Sequence, residues 1–275
     1  MRGMMTRSIG ADARYPQMTR GVLSLLTAAF MVSATSVARG ELLLHYNFDE
    51  ARSGTAAVVD RGAAPAADGT FVGGTTRTNA TPGGVSRAAL DLGTGTEGGN
   101  HYVNGGNAAK LNALTQLTIT LWINLRQNAI AGDRLVSWGN AFDVNLPSGG
   151  FTATALRLGF MISDNYANSS GTFDALNKWV FVACTWDGVT RRYYTGEEDR
   201  ASAVTQLAGT SGFTTTPTRS PSTTFRVGGT ALASNRTPPA WIDDVRVYST
   251  ALTLAELERV RLANITRQGT TVLVR

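Results

Sequence analysis

A single cysteine, Cys184, stands in the whole sequence, so no intrachain disulfide can staple the fold. It lies inside the apolar run WVFVACTW with no catalytic context around it, and reads as a small buried hydrophobe. Histidine is almost as scarce. His45 and His101 are the whole supply, too few for a histidine-built catalytic metal centre, and neither is near a Gly-x-Ser-x-Gly nucleophile motif. Lysine occurs only at Lys110 and Lys178, so arginine carries nearly all the positive charge. No strand-like segment carries the Glu-x-Asp-x-x-Glu pattern that would set catalytic carboxylates on one face; Glu197-Glu198-Asp199 follows Gly196 and reads as a solvated charge run. Long apolar runs are missing too. The longest, Gly21 to Ala34, is too short to span a bilayer comfortably.

That run has a different meaning. Arg2, Arg7, Arg14 and Arg20 precede it, and Ala38-Arg39-Gly40 follows it with small residues three and one before Glu41. This is the pattern of a signal peptide over 1–40, which predicts a bacterial protein exported to the periplasm or beyond. No twin arginine precedes the run and no cysteine follows it, so neither that export route nor a lipid anchor is expected. Residues 1–40 hold five arginines and one aspartate. The remainder therefore has 20 basic residues (25 less 5) and 19 acidic ones (20 less 1). A near-neutral mature chain offers no electrostatic footprint for nucleic acid.

What remains is rich in strands. QLTITLWINLR, Gln116 to Arg126, puts Leu117, Ile119, Leu121, Ile123 and Leu125 on one face and Thr118, Thr120, Trp122 and Asn124 on the other, the period of a strand with one core face. LLLHYNF, TFVGG, RAALDLG, HYVNG, RLVSW, AFDVNL, ALRLGFMIS and TTFRVGG are further candidates. WVFVACTW is apolar on both faces, as in a central strand, and Asp187-Gly188 turns it into TRRYYTG as a hairpin. Thr253-Leu254-Ala255-Glu256 is a capping box opening a short helix on which Leu254, Leu257 and Arg261 fall at helical spacing. Ser53–Ser86 and Glu197–Ser222 read as long loops. The expected fold is all-β, an antiparallel two-sheet jelly-roll sandwich over 41–265 with one short C-terminal helix, followed by a tail at 266–275.

WIDDVRVYS, Trp241 to Ser249, raises the sharpest question. Strict alternation puts Trp241, Asp243, Val245 and Val247 on one face and leaves Asp244 solvated on the other. Asp243 would then point at a core, where a lone carboxylate is costly. If the opening and closing strands are neighbours, Asp49 approaches it, and loop residues such as Asp60 could add oxygens for a calcium ion. An arginine partner, Arg246 or Arg226, or a cap on backbone N–H groups, answers the same question.

Several of these segments together carry a family likeness. HYNFDE, QLTITLWINLR, NKWVFVACTWDG with YYTG, and WIDDVRVYSTALTLAEL resemble, in order, the opening, central, hairpin and closing segments of laminin-G-like, concanavalin-A-like jelly-roll domains. YYTGEE departs from the pattern, which more often has Asn-Gly. The resemblance implies two packed sheets, export, recognition of a polysaccharide or a cell-surface ligand, and a calcium ion tying the opening strand to the closing one at Asp49 and Asp243. Trp122, Trp138, Tyr102, Tyr193 and Tyr194 are candidates for stacking on a sugar, although aromatics equally suit packing, the role expected for Trp122. A non-catalytic binding module is expected; a carbohydrate-active enzyme on the same fold and a structural envelope protein are the alternatives.

Overall fold

The computed structural model describes residues 40–50, 57–94, 100–128, 132–147, 152–218, 223–230 and 236–266. The leader read over 1–40 and the tail at 266–275 lie outside them, apart from Gly40 and Thr266. In chain order the strands are β1 (Leu42–Tyr46), β2 (Ala57–Val58), β3 (Gly69–Val72), β4 (Thr76–Thr78), β5 (Ala89–Asp91), β6 (Tyr102–Asn104), β7 (Leu117–Leu125), β8 (Asp133–Trp138), β9 (Phe142–Leu146), β10 (Gly159–Ile162), β11 (Asn165–Asn168), β12 (Val180–Trp186), β13 (Thr190–Glu197), β14 (Thr205–Gly212), β15 (Phe225–Val227) and β16 (Ala240–Tyr248). One α-helix among the described residues, α1 (Leu254–Leu262), follows.

They form two antiparallel eight-stranded sheets. The first runs β14-β13-β12-β7-β16-β5-β4, with β1 also on β16; the second runs β11-β10-β9-β8-β15-β6-β3-β2. The opening and closing strands are therefore neighbours, with His45 opposite Arg246 and Tyr46 opposite Val245. Between the sheets lies the main core, to which β7 contributes Leu117, Ile119, Leu121, Ile123 and Leu125 as its alternation requires. The predicted hairpin is present: Asp187 Oδ1 accepts from the N–H groups of Val189 and Thr190 at 2.9 and 2.7 Å, and Gly188 takes the left-handed backbone, φ +92°, that the turn requires.

The other face of β7 is buried as well. Thr118, Thr120, Trp122 and Asn124 are covered by a second core in which Trp122, Phe181 and Tyr194 meet Leu257 and Val260 of α1, with Leu252 and Ile265 at its ends. The capping box forms: the Glu256 N–H donates to Thr253 Oγ1 and the Thr253 N–H to Glu256 Oε2. Leu257, Val260 and Arg261 face inward, whereas Leu254 is exposed. Arg261 is fully buried and donates to the carbonyls of Glu197, Asp199 and Ser202 and to the Glu258 carboxylate. Carbonyls and one carboxylate thus satisfy a charge that would be costly alone, and they tie the β13–β14 connection to the helix.

Two expectations are corrected. The supposed loop Glu197–Ser222 contains the edge strand β14, and Ser53–Ser86 holds β2 and β4 besides β3. β14 is built from Thr, Gln, Ala, Gly and Ser around one buried residue, Leu207, so no apolar alternation announces it. In β16 the register shifts between Asp243 and Arg246, and Asp244 adopts φ +50°. This bulge inserts one extra residue and reverses the alternation. Ala240 and Ile242, then Val245 and Val247, enter the main core. Trp241 and Tyr248 belong to the second core, and Asp243 stands opposite Trp122.

Candidate functional site

The bulge sets both aspartates of β16 toward the helix-covered face. Asp244 is buried, not solvated as alternation implied. His45 Nε2 lies 2.6 Å from its Oδ1, Arg246 Nε donates to the same oxygen at 3.0 Å, and Asn264 Nδ2 binds Oδ2. Burial pushes its acidity down, but the His45 hydrogen bond and the Arg246 charge outweigh that and hold the carboxyl below the usual range. The arginine partner expected in this strand therefore serves Asp244. Arg226 lies on the other sheet, its guanidinium 4.1 Å from the centre of the Tyr102 ring.

Asp243 is different. Its Oδ1 accepts the Asp244 N–H at 2.7 Å, while Oδ2 is buried without a hydrogen-bond partner. Burial first, and the adjacent Asp244 charge second, hold it well above the usual carboxylate range; Asp49 adds to the rise. Asp49 follows β1 and fastens the 87–88 segment, its Oδ1 accepting from the N–H groups of Arg87 and Ala88 at 2.6 and 3.1 Å. Asp49 thus bears on Asp243 through its charge, and a buried carboxylate oxygen without a hydrogen-bond partner suits a hard cation. Asp60 does not join them. It pairs with Lys110 and accepts from the N–H groups of His45, Gly62 and Ala67; although burial opposes ionisation, these contacts hold its carboxyl below the usual range. Among the described residues no group of three His, Cys, Asp or Glu side chains is placed to hold a metal, so further oxygens would have to come from backbone or hydroxyl groups such as that of Ser86.

The expected aromatic ligands are placed by packing. Trp122 is sealed in the second core and Trp138 in the main one, and Tyr193 and Tyr194 are also buried. None offers a ring face to solvent, because each lies beneath a facing layer. Tyr102 is half-buried beneath Arg226.

Among the described residues the exposed aromatic is one that alternation did not single out, Tyr166, 51% exposed. It lies on the outer face of the second sheet, where two cross-strand rows run side by side. Arg134, Asn145, Gly159 and Asn168 pair in register across β8 to β11. Ser137, Asp143, Met161 and Tyr166 form the neighbouring row, which continues through Arg226, Asn104 and Thr70. Gly159 deepens the floor: a Cβ there would meet Asn145 Oδ1 at 2.3 Å. The result is an open cleft of about 410 Å³ lined by Gly132, Arg134, Asn145, Pro147, Tyr166, Asn168 and Arg236. Arg134 organises it. Its Nη2 donates to Tyr166 Oη at 3.1 Å, its guanidinium carbon lies 5.5 Å from the ring centre, and its Nε is 2.8 Å from Asp143 Oδ2 in an ion pair whose N–H is not aligned for a hydrogen bond.

Asp143 is buried beneath the cleft, and that burial pushes its carboxyl up to about 6 against the lowering pull of Arg134 and Asn145. A carboxyl raised in the folded state binds its proton more tightly there than in the unfolded chain. Its contribution to stability is therefore complete below about pH 4 and lost as pH rises through about 6. Between pH 5 and 7.5 the wild type should lose roughly 1–3 kcal/mol more stability than Asp143→Asn, measured by urea unfolding at both values; equal losses would clear Asp143 of the effect.

No curated protein sequence matches the chain. Solved structures resemble it in fold. Domain 4 of AbnA, a GH43 extracellular arabinanase from Geobacillus stearothermophilus solved in complex with arabinotriose, matches 81% of this chain and 98% of that one at 16% identity and a TM-score of 0.54. The receptor-binding domain of botulinum neurotoxin C/D mosaic serotype matches 81% at 13% identity and 0.54. The binding domain of botulinum neurotoxin DC, in complex with SialylT, matches 82% at 13% and 0.54. The chain spans about half the length of each toxin domain. The family model of the concanavalin A-like lectin/glucanases superfamily matches residues 97–258, more than half of the sequence and most of both sheets, and the chain belongs to that superfamily.

Proposed function

We propose that this chain is an exported, non-catalytic recognition module that binds polysaccharide or a cell-surface glycan in the cleft on the outer face of its second sheet. The observation that carries the reading is Tyr166, exposed and backed by Arg134, at the rim of a polar trough with Asn145 and Gly159 in its floor and Asn168 on its wall. An aromatic ring supplies a face for a sugar's C–H groups, and amide and guanidinium groups bind its hydroxyls. Glycoside hydrolysis calls for two carboxyls flanking the bond. The described residues lining this cleft include none, and Asp143 beneath it is buried. The arabinotriose and SialylT complexes of fold neighbours lend the reading support by likeness of fold. The signal-peptide pattern over 1–40 supports export, and no helix among the described residues is long and apolar enough to cross a membrane.

Calcium held by Asp49 and Asp243 completes the proposal in a structural role, joining the opening strand to the closing one. It lies on the other sheet from the cleft, so its loss should weaken binding only through stability.

The chain from residue 41 onward should retain one or more polymers of a polysaccharide panel without releasing reducing sugar. Tyr166→Ala should weaken that binding about tenfold, about 1.4 kcal/mol, with no change in melting temperature. Release of reducing sugar would favour the enzyme; silence across the panel would remove the glycan reading.

A further inference from the structure

We infer that the glycan bound in this cleft carries a carboxylate, as a uronic acid does; the inference rests on the glycan-binding reading of the same cleft. Among the described residues two arginines line it and no aspartate or glutamate does. Two other clefts mix their charges, with Glu198 and Asp199 beside Arg200 in one and Glu256 beside Arg259 in another; a third also holds two arginines, Arg200 and Arg259, but without an aromatic ring.

The two arginines arrive from different parts of the chain and converge at Gly132. A Cβ at that position would lie 2.6 Å from Arg236 Nη1 and 3.4 Å from Arg134 Nη1, and the backbone there has φ +84°. Any side chain would be strained and would occupy the gap between the two guanidinium groups. Arg134 is fixed in direction: Nε faces Asp143, Nη1 donates to the Gly132 carbonyl and Nη2 to Tyr166 Oη. Of its five N–H donors, two are spent on those hydrogen bonds and the Nε N–H is turned toward Asp143. The Arg236 carbonyl accepts the Arg134 N–H at 2.9 Å, so the two residues are also tied through the backbone. Asp143, 1% exposed, offsets charge only from below the floor.

Guanidinium groups offer donors and no acceptor, in a planar fork that matches a carboxylate's two oxygens. A neutral sugar, whose hydroxyls both donate and accept, would use that wall only in part. Tyr166, at the rim, is placed to receive the ring of the same residue while its carboxylate reaches toward Gly132.

The test compares polygalacturonate and alginate with their esterified forms, which keep the sugar and remove the charge. Binding to the protein as purified is followed by affinity electrophoresis. The acid forms should bind at least tenfold more tightly than the esters. The preference should shrink severalfold as salt rises from about 50 to 500 mM, since exposed charge pairs are screened. Arg236→Gln should bring the ratio close to one. Asn168→Asp, at an exposed lining position, should do the same by placing a carboxylate on the wall, and covers the case in which Arg236→Gln does not fold. Equal binding of acid and ester, both weakened by Tyr166→Ala, would overturn the inference and leave the glycan reading standing. An acid preference unmoved by both variants would also overturn it, by placing the charge recognition elsewhere. Absence of binding to any glycan, charged or neutral, would take the glycan reading with it.

Discussion

Replacing Trp122 with alanine should lower the free energy of unfolding by about 3–5 kcal/mol, the cost of emptying a large buried aromatic site. For a domain of this size that corresponds to a fall of roughly 10 °C in melting temperature. Trp122 is fully buried, its ring 5.6 Å from Phe181 in an edge-on arrangement, and it lies where β7 and β12 meet α1. Its loss would leave a cavity that the helix, held by Arg261 to the β13–β14 connection, cannot easily close. Trp122→Phe should recover most of the loss, because the indole N–H makes no hydrogen bond. Urea unfolding of the three proteins measures this, and the glycan assay supplies the contrast: Tyr166→Ala should lose binding with stability intact. A Trp122→Ala protein that unfolds like the wild type but no longer binds would return this residue to the binding surface.

The second large effect concerns the ion. With calcium at a hundredfold its dissociation constant, the wild type should gain about 2.7 kcal/mol over the same protein in chelator, a rise of about 5–10 °C. Asp243→Asn should abolish the gain and be at least as stable as the wild type in chelator, since an amide of the same shape brings no charge into the buried site. Asp60→Asn separates the two acidic sites. It should keep the calcium response while losing about 3–5 kcal/mol, because it strands the buried Lys110 ammonium. Thermal melts of the three proteins with calcium and with chelator decide the matter. A gain that survives in Asp243→Asn would place the ion elsewhere, and no gain in the wild type would leave Asp243 as a neutral buried acid.

Much of the fold was legible because it is written in local patterns. The period of two in Leu117–Leu125, the Asp187-Gly188 turn and the Thr253–Glu256 capping box each depend on residues a few positions apart, and each forms as expected. The edge strand β14 was not legible, since a strand paired on one side and covered by little needs no apolar alternation. The carboxylates were half legible. Asp243 is buried, as a core-facing carboxylate was expected to be, and feels the Asp49 charge, but the third expected oxygen donor, Asp60, is engaged by a lysine fifty residues downstream.

The sequence by itself determined an all-β sandwich, the adjacency of its first and last strands through family likeness, and a chain with neither disulfides nor histidines enough for a catalytic metal centre. Only the tertiary structure decided which way the aspartates of β16 face, because a bulge at a left-handed Asp244 reverses the alternation that any one-dimensional reading extends. It also decided which aromatics are available. Trp122 and Trp138 lie on faces that a strand pattern leaves open but that a helix and an opposing sheet cover, while Tyr166 stays exposed on an edge strand. The cleft arises in the same way. Arg134, Asn145, Tyr166 and Arg236 are spread over a hundred residues of chain, and sheet register together with one glycine at Gly132 brings them to a single point.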